Sequence, residues 1–501
     1  MSRCRKDDPT DKDDLMHTGL LFLQYLIDQF LKMDDNNNKL NFLRRNQTRL
    51  RANEYNAVQR AIRNNANLGN VGVPVPTILP PTFIGSPRNL REHFKDIMAM
   101  TQKLKQPSLF ITFTANPNWD EIKGELRQRQ TPSDRPDLIA RVFRLKVKEL
   151  LVDIVERCVL GPVSGYVYAV EFQKRGLPHI HLVLWLIQGT IPVESVDHFT
   201  CAEIPDPIRN PALYEVVTAS MVHKCEKGRC LINGQCSRHF PQKFALQTSI
   251  PENIHGEAGT RVEYQRRAPI NGGRQFQKNG VLYNNSHIVP FNAFLLLKYR
   301  AHINVEVVTS AGSIKYLFTY ICKGADHADV MLQRQDEILQ YMNARYVGAS
   351  EAVWHLFEFP MTQQSHQIVR LPVHLLGQHR VVFNADNENI ADENNAVHQD
   401  GDDNDEDNNN IGNNRINALT QLTEFFTTVD TERRTVAGMN TIYPTVEEIL
   451  YHDFPLYYCW IEKTKQWKRR ILSNALKQIQ VDHARREKIR LRYNQPPKKI
   501  Q

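Results

Sequence analysis

The spacing of apolar and polar positions separates this chain into helical and extended segments. Between residues 15 and 66, apolar side chains recur at helical spacing, and the run "DLIARVFRLKVKELLVDIVERCV" from Asp137 has the same period. Three other runs are rich in β-branched and aromatic residues: "SLFITFTANPNW" from Ser108, "GYVYAVEFQ" from Gly165 and "HIHLVLWLI" from His179. The pattern therefore predicts amphipathic helices combined with short strands.

The later part of the chain is less regular. The Cys/His-bearing stretch between residues 197 and 248 predicts irregular structure, and "FNAFLLLKYRAHINVEVV" from Phe291 predicts a helix followed by a strand. "SIKYLFTYICKGAD" from Ser313 predicts a short helix that ends at Lys-Gly. The Asp/Asn-rich segment Ala385–Asn414 predicts disorder, and "KQWKRRILSNALKQIQVDHARREKIRLRY" from Lys465 predicts a basic helix.

Charge and composition narrow the class of protein. A length of 501 residues predicts two to four domains, and the eight cysteines favour reduced thiols or metal ligands over a disulfide scaffold. No apolar run approaches the ~18 residues of a membrane span, and the charged N-terminus lacks a signal-peptide pattern, so we expect an intracellular protein. The whole chain has a formal net charge of +8. Without the ten acidic residues of Ala385–Asn414, the net charge of the remainder is +18. Such a body suits a polyanionic partner, although an ordinary basic protein remains the alternative.

Two histidines stand two residues apart at the start of an apolar strand. The five-residue connection "KRGLP" predicts a β-hairpin in which Gln173 faces His179 and Glu171 faces His181. Period-two alternation then places all four side chains on one face. Two imidazoles with Glu171, or alternatively Gln173, would form a three-ligand site for a divalent cation with open positions for substrate oxygens. The alternative is a hydrogen-bonded surface pair of histidines.

A pair of tyrosines supplies candidate nucleophiles. Tyr316 and Tyr320 are four residues apart, on one face of the predicted helix, and Lys323 follows on the same side. A phenol is a weak nucleophile at neutral pH, but beside a metal-polarised phosphate and a cation it can attack phosphorus. The alternative is that both tyrosines are aromatic residues of the core or its rim.

A cluster of cysteines and histidines suggests a second metal site. His223, Cys225, Cys230, Cys236 and His239 fall close together, and four of them could bind a structural zinc ion with either His223 or His239 as the fourth ligand. The spacing is not the paired C-x-x-C form. Reduced cysteines near a turn are therefore the alternative.

The motifs together resemble a known family. "PHIHLVLW" followed by "KYLFTYICKGAD" is similar to the rolling-circle replication initiator domain of Helitron transposases, which are HUH endonucleases. "LFITFTANPNWDEI", "VPFNAFLLLKYRAHINVEVV" and "LPVHLLGQHRVVF" are also similar to that family and occur in its order, so the resemblance spans roughly Leu15 to Phe383. It implies an α+β fold, with an RRM-like antiparallel sheet of the HUH type flanked by helices, a helical N-terminal region and a Cys/His-bearing insertion.

The resemblance also implies a reaction. His179 and His181, with Glu171 or Gln173, would hold Mg²⁺ or Mn²⁺. Tyr316 and Tyr320 would cleave single-stranded DNA at transposon ends, leaving a 5′-phosphotyrosine and a free 3′-hydroxyl, with Lys323 as the neighbouring cation. The alternative is an inactive or domesticated remnant that binds single-stranded DNA, and a third possibility is a fragment without a stable fold.

Three further residues are candidate DNA contacts. Arg175 could track the backbone, and Phe110 and Trp119 could stack on bases, although core packing is the more frequent role of such aromatics. No G-x-x-x-x-G-K-[ST] phosphate loop occurs in the sequence, so the helicase activity of full-length Helitron proteins is not expected of this chain. The substrate leads us to expect a nuclear protein, with no membrane partner and an unknown oligomeric state.

The predicted organisation has five parts. They are a helical N-terminal region (1–90) that ends in a Pro-rich connector, an HUH endonuclease domain (91–330) that includes the Cys/His-rich insertion (197–248), the C-terminal part of that region (331–384), an acidic linker (385–414) and a basic helical tail (415–501).

Overall fold

The structure is a computed structural model. It describes residues 19–36, 39–46, 79–81, 83–172, 176–225, 230–251, 262–309, 338, 347–374, 420–435, 446 and 449–470. The chain divides into two compact units, the first formed by residues 1–47 and 73–368 and the second by residues 48–72 and 369–501. The division into five parts stays a prediction. In the part of the chain that is described, no helix is both long enough and apolar enough to cross a membrane.

The first unit contains nine α-helices and nine strands among its described residues. The helices are α1 (Leu20–Asn36), α2 (Lys39–Arg45), α3 (Pro87–Leu104), α4 (Asp120–Lys123), α5 (Pro136–Leu151, continued by a π-helical turn, Val152–Glu156), α6 (Val196–Phe199), α7 (Pro211–Ser220), α8 (Ala293–Tyr299) and α9 (Ala349–Leu356). The strands are β1 (Leu109–Thr114), β2 (Val163–Phe172), β3 (Pro178–Leu186), β4 (Leu231–Ile232), β5 (Gln235–Cys236), β6 (Gln275–Lys278), β7 (Val281–Asn284), β8 (Ile303–Val307) and β9 (Thr362–Gln364).

Five of these strands form the central sheet, in the order β8-β1-β3-β2-β9. Every neighbouring pair is antiparallel. The predicted strands β1, β2, β3 and β8 and the predicted helices α5 and α8 are therefore confirmed. The first unit is a mixed structure of the α+β class, in which helices flank an antiparallel sheet.

The main apolar core covers one face of the sheet. A second, smaller apolar cluster covers only part of the other face. On the first face, Phe113 and Ile180 pack against Phe143 of α5 and Trp354 of α9 in the largest apolar cluster. Burying each of these large side chains stabilises the fold by roughly 1.5–3 kcal/mol. On the second face, α3 packs against an apolar half of the sheet. That contact joins Ile97, Met100, Phe110, Val183 and Trp185.

Helix α3 was not predicted from the sequence. Its first residues belong to the predicted Pro-rich connector, "VGVPVPTILPPTFIGSPRNL", which is wrong at this end. Ser86 caps the helix, since its hydroxyl accepts a hydrogen bond from the backbone N–H of Asn89 at 3.0 Å. Pro87 occupies the first helical position, where the missing N–H costs nothing.

The Cys/His-bearing insertion is more ordered than predicted. It contains α6, α7 and the β4–β5 hairpin, and its Val217 packs with Ile288 and Phe291 from later in the chain in a separate apolar cluster. The buried guanidinium of Arg266 donates to the backbone carbonyls of Ala202 and Asn285 at this core. Burial lowers the pKa of Arg266 to about 10. The guanidinium of Arg266 therefore holds several backbone segments together by hydrogen bonds. Such contacts leave no repeating hydrophobic pattern in the sequence.

The second unit, described by itself, contains a small α+β core. Its elements among the described residues are α10 (Gln421–Thr435), α11 (Phe454–Tyr457), β10 (Tyr458–Ile461) and β11 (Gln466–Arg469). Strands β10 and β11 form an antiparallel hairpin, and Trp467 packs against Phe454 with ring centroids 5.3 Å apart. The basic helix predicted from Lys465 is therefore wrong at its start, because the aromatic residues pair this segment with β10. The rest of that helix, the acidic linker and the helix predicted from Ser313 lie outside the described residues.

Candidate metal centre

The two histidines lie on β3, the middle strand of the sheet. The hairpin register differs from the predicted one: Glu171 lies opposite His179, not opposite His181. The connection between β2 and β3 begins one residue earlier than predicted, and this moves every pairing by two residues. Because side chains alternate with a period of two, a displacement of two keeps Glu171, His179 and His181 on the same face.

Three donor atoms converge at this point. The Nε2 atoms of His179 and His181 are 3.0 Å apart, and Oε2 of Glu171 lies 3.2 Å from Nε2 of His181 and 3.4 Å from Nε2 of His179. Ligands that share one ion at about 2.1 Å are separated by about 3.0 Å in octahedral and about 3.4 Å in tetrahedral coordination. The donor set therefore fits a single divalent cation. The alternative of a surface histidine pair does not agree with two histidines whose side chains are each 8% exposed.

The neighbouring strand β1 orients one of the imidazoles. Thr112 lies opposite His181, and its Oγ1 is 3.1 Å from His181 Nδ1. A proton on Nδ1 that is donated to this hydroxyl leaves the Nε2 lone pair free for a cation. The ring of Phe110 also stacks on His181, with centroids 5.6 Å apart and planes 6° apart. His181 is thus held both by a hydrogen bond and by packing.

The equivalent contact for His179 is not formed. Thr114 lies opposite His179, but the Thr114 hydroxyl and the His179 Nδ1 are both buried and neither has a hydrogen-bond partner among the described residues. Asn304 on β8 lies opposite Thr112, and its side-chain oxygen is also buried without a hydrogen-bond partner among the described residues. We call the six residues on this part of the second face the polar end of the sheet. They are Thr112, Thr114, Glu171, His179, His181 and Asn304.

The other predicted catalytic residues cannot be placed. Tyr316, Tyr320 and Lys323 lie outside the residues that the structure describes, as do Gln173 and Arg175. Their roles stay predictions. Of the two candidates for the third ligand, Glu171 is therefore the one whose position is described, and its carboxylate faces both histidines.

The two aromatic candidates for DNA contact are core residues. Phe110 and Trp119 are each 5% exposed. Phe110 packs between His181 and the α3 contact, while the Trp119 indole N–H donates to the backbone carbonyl of Tyr299 at 2.7 Å. Neither ring presents a free face for a base. Their positions favour core packing, the alternative role considered for them above.

The Cys/His cluster is assembled in three dimensions. His223, Cys225, Cys230 and Cys236 each offer one ligand atom, and these atoms lie within 4.8 Å of one another. Nε2 of His223 lies 3.3 Å from Sγ of Cys236, and the ring of Phe240 stacks on His223 with centroids 4.2 Å apart. Of the two histidines considered from the sequence, His223 joins the described cluster and His239 does not.

The thiols of this cluster differ in acidity. Burial, together with neighbouring Cys236 and Cys230, raises the pKa of the Cys225 thiol to about 12. Burial would also raise the pKa of Cys236, but backbone N–H donation from Phe240 and Arg238 outweighs it and lowers that pKa. Cys236 is therefore the thiol best prepared to bind a cation as a thiolate.

Comparison with known proteins gives one family match. Residues 5–184 match the family model of the Helitron helicase-like domain at N-terminus. The matched segment is similar to the N-terminal domain of that family. It includes the donors Glu171, His179 and His181, whereas Tyr316 and Tyr320 lie beyond it. The resemblance to Helitron transposases is thereby confirmed for these residues, and it supports a transposon-related role that involves DNA. No curated protein matches the chain.

Sequence reasoning missed the residues that support the ligands. Thr112 and Thr114 alternate with Ile111 and Phe113 in the first predicted strand, so the sequence indicated that the two threonines share a face. Nothing local indicated that this face meets His179 and His181, because β1 and β3 are separated by two helices and a strand in the sequence.

Proposed function

We propose that this chain nicks single-stranded DNA and transfers the cut strand through a tyrosine-linked intermediate, in a reaction that depends on a divalent cation. The convergence of Glu171, His179 and His181 within the Helitron helicase-like domain supports this proposal most directly. Two imidazoles with one carboxylate suit Mg²⁺ or Mn²⁺, which would polarise the scissile phosphate when bound.

The protein's own residues would prepare the site for this chemistry. His179 and His181 project from the middle strand of the sheet and are buried, so their positions change little when a substrate binds. By accepting a hydrogen bond from Nδ1, Thr112 would hold His181 in the tautomer that presents Nε2. The phosphate oxygens would bind at the polar end of the sheet, beside the three donor atoms.

The covalent step belongs to the tyrosines. The hydroxyl of Tyr316 or Tyr320 would lose its proton and attack phosphorus, and the bond from phosphorus to the 3′-oxygen would break. The 3′-oxygen takes up a proton and leaves as a hydroxyl, while the 5′-phosphate stays on the tyrosine. Attack by another 3′-hydroxyl reverses the step and joins the strands. The second tyrosine allows a second transfer.

We further propose that the Cys/His cluster binds a structural Zn²⁺. Three thiols and one imidazole form a common zinc ligand set, and the lowered pKa of Cys236 favours binding. Zinc content of the purified protein, measured by mass spectrometry of metals, should fall in Cys236→Ser. Equal zinc content in the wild type and this variant would contradict the proposal.

The proposed reaction is tested by trapping the covalent product. The purified chain is incubated with end-labelled single-stranded oligonucleotides covering candidate transposon ends, with and without Mn²⁺, and the products are separated on a denaturing gel. We expect a metal-dependent protein–DNA adduct that is lost in His179→Ala and in Tyr316→Phe, Tyr320→Phe or their combination. Thermal melting of each variant controls for folding.

The second candidate function has a distinct outcome in the same assay. If the wild type binds the oligonucleotides but forms no adduct with any of them, the chain is a DNA-binding remnant. The basic body of the chain outside Ala385–Asn414 favours that function as the alternative.

A further inference from the structure

The Cys/His cluster is connected to the metal centre by a short series of contacts. The backbone N–H of Thr114, opposite His179, donates to the carbonyl of His302 at 3.0 Å. Nδ1 of His302 in turn donates to the carbonyl of Ser220, at the end of α7, at 2.9 Å. His223, the first ligand of the cluster, follows only three residues later. Both metal-ligand groups therefore lie near the same end of the sheet.

Arg238 is built into the Cys/His cluster through its backbone. Its N–H donates to Sγ of Cys236 at 3.4 Å, and its carbonyl accepts from the side chain of Gln242 at 3.1 Å. The preceding Ser237 N–H donates to the carbonyl of Cys230, another ligand of the cluster. A cation bound by the cysteines would therefore fix the backbone from which the Arg238 side chain projects.

Among the described residues, the guanidinium of Arg238 has no carboxylate partner, in contrast to those of three nearby arginines. Three other arginines in or beside the insertion pair with carboxylates: Arg267 with Glu203, Arg274 with Asp206 and Arg300 with Glu215. Arg238 is exposed, and no carboxylate in the described part of the chain pairs with it. Its five donors are available to an anion from solution.

His302 lies between the two groups in this series of contacts. Its carbonyl accepts from the backbone N–H of Thr114, opposite His179. Burial lowers the pKa of His302, and the positive charge of Arg238 lowers it further. The guanidinium of Arg238 therefore acts on a residue that contacts the strand beside the metal centre.

We propose that the Cys/His cluster positions Arg238 to bind a backbone phosphate of single-stranded DNA beside the metal centre. This assignment rests on the proposed function for the identity of the polyanion, but it concerns binding and not cleavage. The planar guanidinium would engage a phosphate next to the one at the histidines through a bidentate contact. The strand would then be held at two points, which fixes the bond to be cut.

The binding test uses a matched pair of substitutions. Fluorescence anisotropy of a labelled single-stranded oligonucleotide is measured with the full chain, without added Mn²⁺, at several salt concentrations. Arg238→Gln should weaken binding about fivefold and reduce the salt slope by about 0.7, the value for one phosphate contact on a single strand. Arg209→Gln removes the same charge from an exposed arginine of the same insertion and should change the affinity less than twofold.

A second comparison tests the role of the cluster. In Cys225→Ser, which removes one ligand, the zinc content should fall and DNA binding should weaken as much as in Arg238→Gln. Adding Arg238→Gln to Cys225→Ser should then cause little further loss, because the guanidinium is no longer held in place. Additive losses would overturn the positioning role, and equal effects of Arg238→Gln and Arg209→Gln would overturn the phosphate contact.

The two proposals fail separately. Affinity is measured without the cation needed for cleavage, so a wild type that never forms a tyrosine adduct can still show the loss in Arg238→Gln. Conversely, an active enzyme whose DNA affinity is unchanged by Arg238→Gln keeps the proposed function and loses this inference. Thermal melting of Arg238→Gln and Cys225→Ser separates a loss of contact from a loss of folding.

Discussion

The two threonines of β1 provide a sharp test of the metal centre, because they occupy equivalent positions but only one of them contacts the histidine opposite it. Thr112 and Thr114 lie opposite His181 and His179. Only Thr112 contacts its imidazole, at 3.1 Å, whereas the Thr114 hydroxyl is buried without a partner among the described residues. Replacing either threonine with valine keeps the β-branched shape and removes only the hydroxyl.

The two substitutions should affect cation affinity differently. A hydrogen bond of this kind contributes about 1 kcal/mol, and residues that orient a metal-bound histidine typically change metal affinity by 10–100-fold when removed. Because the stacked ring of Phe110 still restrains His181, we expect the lower end of that range. Thr112→Val should therefore weaken Mn²⁺ binding about tenfold, and Thr114→Val should leave it within about twofold.

The two substitutions should change the free energy of unfolding in opposite directions. A buried hydroxyl without a partner costs about 1–3 kcal/mol, so Thr114→Val should raise the free energy of unfolding by up to about 1 kcal/mol, while Thr112→Val should lower it slightly. Isothermal titration with Mn²⁺ measures the affinity, and urea unfolding measures the stability. Equal loss of Mn²⁺ affinity in both variants would refute the orienting role of Thr112.

The remaining predictions concern the support of the sheet from its other face. Buried Asp153 accepts hydrogen bonds from Tyr299, Lys298 and Arg157 at 2.6–2.7 Å, so Asp153→Asn should lower the free energy of unfolding in urea by about 2 kcal/mol; an unchanged urea midpoint would contradict this. Burial alone would raise the pKa of Asp137, but donation from Arg135 and Arg141 outweighs it and lowers that pKa. The ionised carboxylate therefore stabilises the fold above the unfolded-state pKa of about 3.9, and this contribution is lost as the pH falls from there through the folded pKa. Urea midpoints measured between neutral and acidic pH should fall less steeply in Asp137→Asn, and parallel curves would contradict the assignment.

The sequence predicted the site better than it predicted the register of the hairpin that carries it. The loop was misplaced by one residue, which moved Glu171 from His181 to His179. Because the pairing moved by two residues, Glu171, His179 and His181 stayed on the predicted face. A loop lengthened or shortened by one residue would instead have moved Glu171 to the opposite face. The three-ligand prediction thus depended on the parity of the connection and not on its placement.

Other features could not be inferred because they depend on contacts between distant segments. The order β8-β1-β3 brings Asn304 beside Thr112, although about 190 residues separate them in the sequence. The β10–β11 hairpin was not predicted because a basic run beside Trp467 fits a helix as well as a strand. The deciding contacts are those of Trp467 with Trp460 and Phe454, which only the structure shows. Helix α3, in contrast, carried a local signal in Ser86 and Pro87 that could have been used.

The energetics of the polar end explain why two histidines stand on a buried strand. Helix α3 covers the apolar half of this face and contacts Val183 and Trp185, the next residues of β3 that point the same way as His181. If the strand served only the core, apolar residues at 179 and 181 would pack without cost. Instead, the side chains of Thr114, His179 and Asn304 each keep a buried polar atom without a partner among the described residues, at about 1–3 kcal/mol apiece. A strand that served packing alone would not carry these costs, which is why we assign the strand to chemistry and not to packing.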